Sequence, residues 1–373
     1  MRFLTAGESH GEALVGILEG FPAGVAVSGD EISGRLRLRR AVAGRSTRQK
    51  AERDEVRVLG GLHRGITTGA PIALVLPNAG RAAAAPDAVP RPGHADYAGA
   101  LKYGLRDAAL VRERASARET AMRVALGAFP LRLLGSLGVV VAGRVVRIGE
   151  ESDDRGFSAS LRSARAVLDA SPLRCLDAAA GRRMASALEA ARAAGDTLGG
   201  VFEVCAEGVP PGLGSHVHWD RRLDARVGAA FLGLNAVRGV ELGTGFALAS
   251  LPGTRAGDAF KPGTPPRRAS NHAGGIEGGM SNGQLIVVRA AMKPVPASNL
   301  SVPSIDLRTG RSAKARSERS DVCAVPAAAL IGEALLGFVL AEAFLEKFGG
   351  DSLAELEPRV RDWRERCRSI GRG

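Results

Sequence analysis

A single integrated α+β domain is the fold class this sequence predicts, and three observations predict it. Strand-like and helix-like stretches alternate along the whole chain. No shift in composition divides its 373 residues, a length that one large domain accommodates. Hydrophobic residues make up 45% of it and aromatics only 4%, so a sizeable core must be built from Ala, Val, Leu and Ile with close backbone packing. There is no short tandem repeat.

Arg2-Phe3-Leu4-Thr5 reads as a strand running straight into a first loop, which argues against a signal peptide. Val15 to Phe21 is a second strand, ended by Pro22. Ser28-Gly29-Asp30-Glu31 has capping-box spacing and predicts a helix carrying Arg35, Arg37, Arg39 and Arg40. Pro71 to Pro77 is a short apolar strand, and the Ala/Pro-rich run 79–90 a surface loop. The pattern turns helical from Ala115, with Pro130 expected to kink or interrupt it. Strands follow at Gly138–Ile148, Val201–Val209, Val240–Leu248 and Gln284–Met292, with helices at Arg182–Ala194 and Arg221–Val237. Pro326 to Phe348 is the longest helix. It contains Glu333 and Glu342 and so reads as a buried amphipathic helix, not a membrane span. Residues 1–350 form the expected catalytic domain, and the charged stretch 351–373 a peripheral tail.

The formal net charge of +12 implies an anionic partner. The arginines are dispersed and aromatics are few, which argues against nucleic acid. Several arginines instead sit beside Gly, Ser and His in short loops, a pattern suited to phosphate or carboxylate capture by the guanidinium fork. Cys175, Cys205, Cys323 and Cys367 form no C-x-x-C pair, so no metal site is expected, and this usage fits a reducing cytoplasm.

Two histidine loops carry the chemistry. Gly7-Glu8-Ser9-His10-Gly11 and Arg91-Pro92-Gly93-His94-Ala95-Asp96 each set a group that titrates near neutral pH among glycines and charges. In the second loop Arg91 would hold an anion while His94 exchanges a proton with it. Alternatively, Asp96 simply caps the following helix and His94 is exposed. Arg112-Glu113-Arg114-Ala115-Ser116-Ala117-Arg118-Glu119-Thr120 packs charge and small residues at a helix start, an anion site or a solvated face. The run Asn271 to Gly283 holds five glycines and permits close backbone approach to a planar or phosphorylated ligand. It lacks both the dinucleotide and the Walker glycine order.

Taken in order, these segments resemble the chorismate synthase family over roughly residues 1–350. Gly195-Asp196-Thr197-Leu198-Gly199-Gly200 and Arg319-Ser320-Asp321 complete the set of motifs. The resemblance implies helices sandwiched between antiparallel β layers and a homotetramer. It implies an anti 1,4-elimination of phosphate and a ring proton from 5-enolpyruvylshikimate 3-phosphate, with reduced FMN required and no net redox change. By the same resemblance His10 would protonate the flavin and His94 would assist phosphate departure. Asp321 would pass on the ring proton near flavin N5, and Ser9 and Ser116 would bond ligands. Arg39, Arg45, Arg48, Arg118 and Arg319 would bind substrate. Arg114, Ala115, Ser116, Asn235, Ala236, Gly278, Lys293, Pro294, Val295, Pro296, Ala297 and Arg319 would hold FMN. If the chain also reduces flavin with NADPH, Arg39 and Arg45 would contact it.

The chain departs from the family pattern at Arg40 and Ala43, which stand in place of Gln and Tyr. Ala115 and Ala297 replace a serine and a threonine, and Ser320 a histidine. Ala115 and Ala297 touch cofactor contacts more than chemistry. Two other classes fit the sequence less well. A flavin oxidoreductase with net hydride transfer lacks the dinucleotide fingerprint, and a nucleic-acid module lacks stacking aromatics.

Overall fold

The computed structural model describes residues 1–46, 54–78, 86–157, 160–296, 300, 302–315 and 321–370. The first sheet is antiparallel and contains β1 (Arg2–Ala6), β2 (Ala13–Glu19), β3 (Arg57–Gly60) and β4 (Ile72–Pro77). Its order is β1-β2-β4-β3, with Leu14 opposite Leu76 and Leu18 opposite Ile72. Strand alternation buries Leu14, Leu18, Ile72, Leu74 and Leu76 on one face. It leaves Leu4, Val15 and Ile17 exposed on the other.

The second sheet is also antiparallel. It comprises β5 (Val140–Ile148), β6 (Glu151–Ser152), β7 (Gly200–Glu207), β8 (Val237–Leu242) and β9 (Ile286–Met292). The order is β8-β9-β7-β5-β6.

Between the sheets lie two long helices. Helix α4 (Thr120–Ser136) covers the first sheet, α8 (Val325–Phe348) covers β5 and β7, and the two helices pack on each other. The layers therefore run sheet, helix, helix, sheet. The core joins them through Met122, Leu126 and Phe129 of α4 and Leu335, Leu336 and Leu340 of α8. The other helices are α1 (Gly29–Ala41), α2 (Asp96–Tyr103), α3 (Ala108–Ala115), α5 (Leu161–Ala170), α6 (Ala178–Ala193), α7 (Leu223–Leu232) and α9 (Leu353–Ser369).

Local rules account for most ends. Ser28 Oγ accepts from Glu31 N–H while the Glu31 carboxylate accepts from Ser28 N–H, so the capping box forms in full. Four expectations are corrected. Pro130 does not interrupt α4, because burial on nearly every side holds the turns around it. Helix α7 stops at Leu232 rather than Val237, since the chain must turn at Ala236, whose φ is +66°. The strand expected to reach Leu248 ends at Leu242 and gives way to a 3₁₀ turn at Gly245–Ser250. Helix α8 is buried almost all round rather than on one face, with 89% of its most apolar window inside the protein. Beyond Gly350, α9 buries Leu356 and Val360, and the Trp363 indole N–H donates to the Pro211 carbonyl at 2.8 Å.

Candidate active site

The first histidine loop leaves the end of β1 and returns into β2. Gly7 turns it with φ +98°, and a Cβ there would stand 2.2 Å from the Ala13 carbonyl oxygen. This glycine is therefore demanded by the chain's own return. Asn78 Nδ2 donates to the Glu8 and Gly11 carbonyls at 3.0 and 2.9 Å and pins the loop.

Glu113, from α3, organises the residues inside it. Its Oε1 lies 2.8 Å from His10 Nδ1, and its Oε2 accepts from Ser9 Oγ at 2.8 Å and His10 N–H at 2.7 Å. A carboxylate at Nδ1 fixes the imidazole's orientation and leaves Nε2 as the nitrogen that faces away. Burial pushes the Glu113 carboxyl up, but the hydrogen bonds from Ser9 and His10 outweigh it and hold the group below the ordinary carboxylate range.

The second loop repeats the arrangement. His94 Nδ1 pairs with Asp96 Oδ1, and Arg91 Nη2 stands 3.4 Å from His94 Nε2. Asp96 is fully buried and also accepts from Arg91 N–H at 3.1 Å and Arg112 Nε at 3.2 Å. It does not cap α2, of which it is the first residue, so the capping alternative fails. Burial raises its carboxyl, yet the His94 bond and charge, followed by Arg91, bring it down to about 2.

The arginines gather at the end of α1. Arg39 Nη2 donates to Thr120 Oγ1 at 2.9 Å and to the Ala117 carbonyl at 3.2 Å. Arg45 Nη1 meets Asp321 Oδ2 at 2.5 Å, and Ser46 N–H meets Oδ1 at 2.7 Å. Gly44 permits this docking, since its φ is +83° and a Cβ would stand 2.5 Å from the Cys323 carbonyl oxygen. Arg118 Nη1 bonds Asp54 at 2.7 Å and its Nε bonds Asn78 at 3.1 Å, which ties it to the His10 loop. Arg40 Nε stands 3.8 Å from the other Asp54 oxygen, so the departure at this position has a carboxylate partner. Nε and Nη2 of Arg45 and Nε of Arg40 are buried and make no hydrogen bond among the described residues. Arg48, Arg319 and Ala297 lie outside the described residues.

Several expected cofactor residues also meet. Asn235 Nδ2 donates to the Ala115 carbonyl at 2.9 Å, and Lys293 N–H to the Ala236 carbonyl at 3.0 Å. Lys293 Nζ reaches the Gly93 carbonyl at 2.5 Å, beside His94. A cleft of about 350 Å³ between Arg114, Arg123 and Asn235 opens at this junction. Ser116 caps the 3₁₀ turn Ala117–Glu119 by accepting from Arg118 N–H. Pro294, Val295 and Pro296 follow Lys293. Thr197 Oγ1 donates to the Val295 carbonyl and Leu198 N–H to that of Val322, joining this stretch to the residue after Asp321.

Gly278 faces open space next to Gly279, whose carbonyl accepts from Leu223 N–H at the start of α7, while Asn235 follows the end of that helix. The glycine-rich run also serves the protein itself, as a hairpin of Ile276–Glu277 with Met280–Ser281. Asn271 and Asp258 pin it through the backbone N–H groups of Gly275, His272 and Ala273. Among the described residues no three His, Cys, Asp or Glu side chains form a metal-holding group.

Sequence reasoning missed Glu113, Asp54 and Asn78 as site builders. Glu113 stood inside a quoted motif, but its partner His10 is 103 positions distant.

Comparison with known proteins shows the family. The chorismate synthase family profile matches residues 1–345. The chorismate synthase of Kocuria rhizophila is 50% identical over 95% of this chain and 91% of its own length. That of Thermobifida fusca is 49% identical over 97% and 98%. A crystal structure of chorismate synthase superposes with a TM-score of 0.81 at 38% identity, covering 99% of this chain and 98% of that one. The chain therefore belongs to the chorismate synthase family and is an enzyme of its lyase type.

Proposed function

We propose that this enzyme converts 5-enolpyruvylshikimate 3-phosphate to chorismate and inorganic phosphate in the presence of reduced FMN. The carbon–oxygen bond to phosphate and a ring carbon–hydrogen bond break in an anti 1,4-elimination, and a ring diene forms. The observation that carries the reading is the pair of buried guanidinium donors on Arg45, Nε and Nη2, that make no hydrogen bond among the described residues. Buried donors without acceptors are costly, and a substrate with one phosphate and two carboxylates supplies acceptors in number.

The residues fit a flavin mononucleotide. The cleft at Arg114 and Arg123 offers cations to its phosphate, and Asn235, Ala236 and Lys293 offer polar contacts beside the His94 loop. Arg114, Ala115, Ser116, Asn235, Ala236 and Lys293 through Pro296 would hold it, with Gly278, Ala297 and Arg319 adding to them. When bound, reduced FMN supplies an electron-rich ring that eases departure of the allylic phosphate without net redox change.

The chain's own residues bind, orient and move protons. Arg39, Arg45 and Arg118, with Arg48 and Arg319, bind the phosphate and carboxylates. His94, held at Nδ1 by Asp96, gives a proton from Nε2 to the departing phosphate oxygen. His10, held at Nδ1 by Glu113, keeps a proton at Nε2 on the cofactor side. Asp321, held by Arg45 Nη1 and Ser46 N–H, helps to pass on the ring proton. Ser9 and Ser116 bond ligand oxygens. We assign the reaction to the cytoplasm, with residues 1–350 as its catalytic domain. A homotetramer is part of the proposal, and the exposed face of the first sheet at Leu4, Val15 and Ile17 is apolar enough to serve it.

The test is anaerobic incubation with substrate and chemically reduced FMN, with diene absorbance followed over time. Product should form with reduced FMN and not with oxidised FMN. Product from oxidised FMN with NADPH alone would assign flavin reduction, and the NADPH contacts at Arg39 and Arg45, to this chain as well. No diene under any of these conditions would refute the reading.

A further inference from the structure

A second cavity, of about 600 Å³, opens between α1, the C-terminal half of α4 and α5, and shares no lining residue with the site described above. Its size falls in the range of small-molecule sites, roughly 300–1,000 Å³. Four guanidiniums line it, from Arg35, Arg37, Arg132 and Arg165, against the single carboxylate of Glu31.

The neighbouring carboxylates do not balance them. Arg132 Nε stands 3.7 Å from Glu31, and Arg165 Nε 3.6 Å from Asp169, which also bonds Arg174 at 2.8 Å. Arg35 Nη1 is anchored 2.7 Å from the buried Glu333, whose other oxygen holds Arg174 at 2.7 Å. Arg37 makes no hydrogen bond or ion pair among the described residues. Among the described residues four guanidiniums thus share three carboxylates and Arg37 has none, so two positive charges remain. Burial depresses the Arg35 guanidinium's proton affinity, Glu333 counters it, and the facing Arg165 lowers it further. An anion between these groups would relieve that repulsion.

The floor differs in kind. Leu38, Ala128 and Leu131 give the cavity an apolar base under its cationic rim. We propose that this cavity is a second binding site, for a small carboxylate carried on a compact apolar body such as an aromatic ring or branched alkyl chain. The apolar part rests on Leu38 and Leu131, and the carboxylate lies between Arg35 and Arg37, whose forked donors match its two oxygens.

The probe is 2-naphthoate, titrated into the full-length protein by calorimetry, with neutral 2-naphthalenemethanol as control. Saturable binding of one naphthoate per chain is expected, with the alcohol at least tenfold weaker. Arg37→Glu should weaken naphthoate binding at least tenfold. Gly135→Leu should abolish it by filling the cavity, since a Cβ at Gly135 meets open space and Leu favours the helix. Both variants should keep the wild-type thermal midpoint within a few degrees and unchanged turnover. Arg45→Ala should leave naphthoate binding intact. No saturable binding, equal binding of the alcohol, binding retained in Gly135→Leu, or binding lost in Arg45→Ala would each overturn the proposal, the last by assigning the probe to the first site.

Discussion

Arg112 and Glu113 are consecutive in α3, and each anchors a different histidine loop. Glu113 lies 2.8 Å from His10 Nδ1, while Arg112 Nε lies 3.2 Å from Asp96, the carboxylate that holds His94. One short helix thereby sets the relative position of the two imidazole rings. Displacing α3 would disturb both at once.

Glu113→Gln keeps the shape of the side chain and removes its charge. It should lower kcat by about tenfold with little change in KM, because ring positioning accounts for part of the roughly 10²–10⁴-fold available to acid catalysis. Steady-state kinetics with reduced FMN checks this. An unchanged kcat would remove Glu113 from the positioning of His10.

Asp96 makes stability depend on acid. Its carboxyl is held at about 2 in the folded protein against an ordinary 3.8. A depressed carboxyl contributes stability that is present above its unfolded value and lost as pH falls toward the folded one. The difference in urea stability between wild type and Asp96→Asn should be constant above about pH 5 and shrink by about 2 kcal/mol as pH falls from about 4 to about 2. A difference that does not change across that window would contradict the assignment.

Asp54 holds two arginines, Arg118 at 2.7 Å and Arg40 at 3.8 Å, and its side chain is fully buried. Asp54→Asn leaves both guanidiniums without their counter-charge and should destabilise the fold by about 3 kcal/mol. Arg40→Gln leaves the Arg118 pair intact and should cost under about 1 kcal/mol. Denaturant midpoints of the two variants check the order, and equal losses would argue against it.

Glu333 is the corresponding group within α8. It is fully buried between Arg35 and Arg174 and accepts from Gly143 N–H at 2.8 Å. Glu333→Gln should destabilise by about 3–5 kcal/mol, since it strands two cations in the interior. A thermal midpoint within 2 °C of wild type, roughly the shift expected for under 1 kcal/mol in a chain this large, would contradict this.

The fold was legible where local chemistry decides it. The Ser28–Glu31 box, the apolar alternation before Pro77 and the long run to Phe348 all produced the elements expected of them. It was less legible where tertiary packing overrides local preference, as at Pro130, at Ala236 and along the largely enclosed α8. At the site, the histidines and arginines announced themselves by motif. Their carboxylate partners did not, because Glu113 meets His10, and Asp321 meets Arg45, across spans of 103 and 276 residues. In the glycine-rich run, Gly274, Gly275 and Gly279 serve close contacts within the chain, whereas a Cβ at Gly278 would meet open space, a distinction that the sequence does not make.

The most direct test of the two-histidine site is single-turnover diene formation under anaerobic conditions with reduced FMN, in His10→Ala and His94→Ala. Each variant should retain the wild-type circular dichroism spectrum and form product about a hundredfold more slowly. Wild-type rates in both variants would contradict the account.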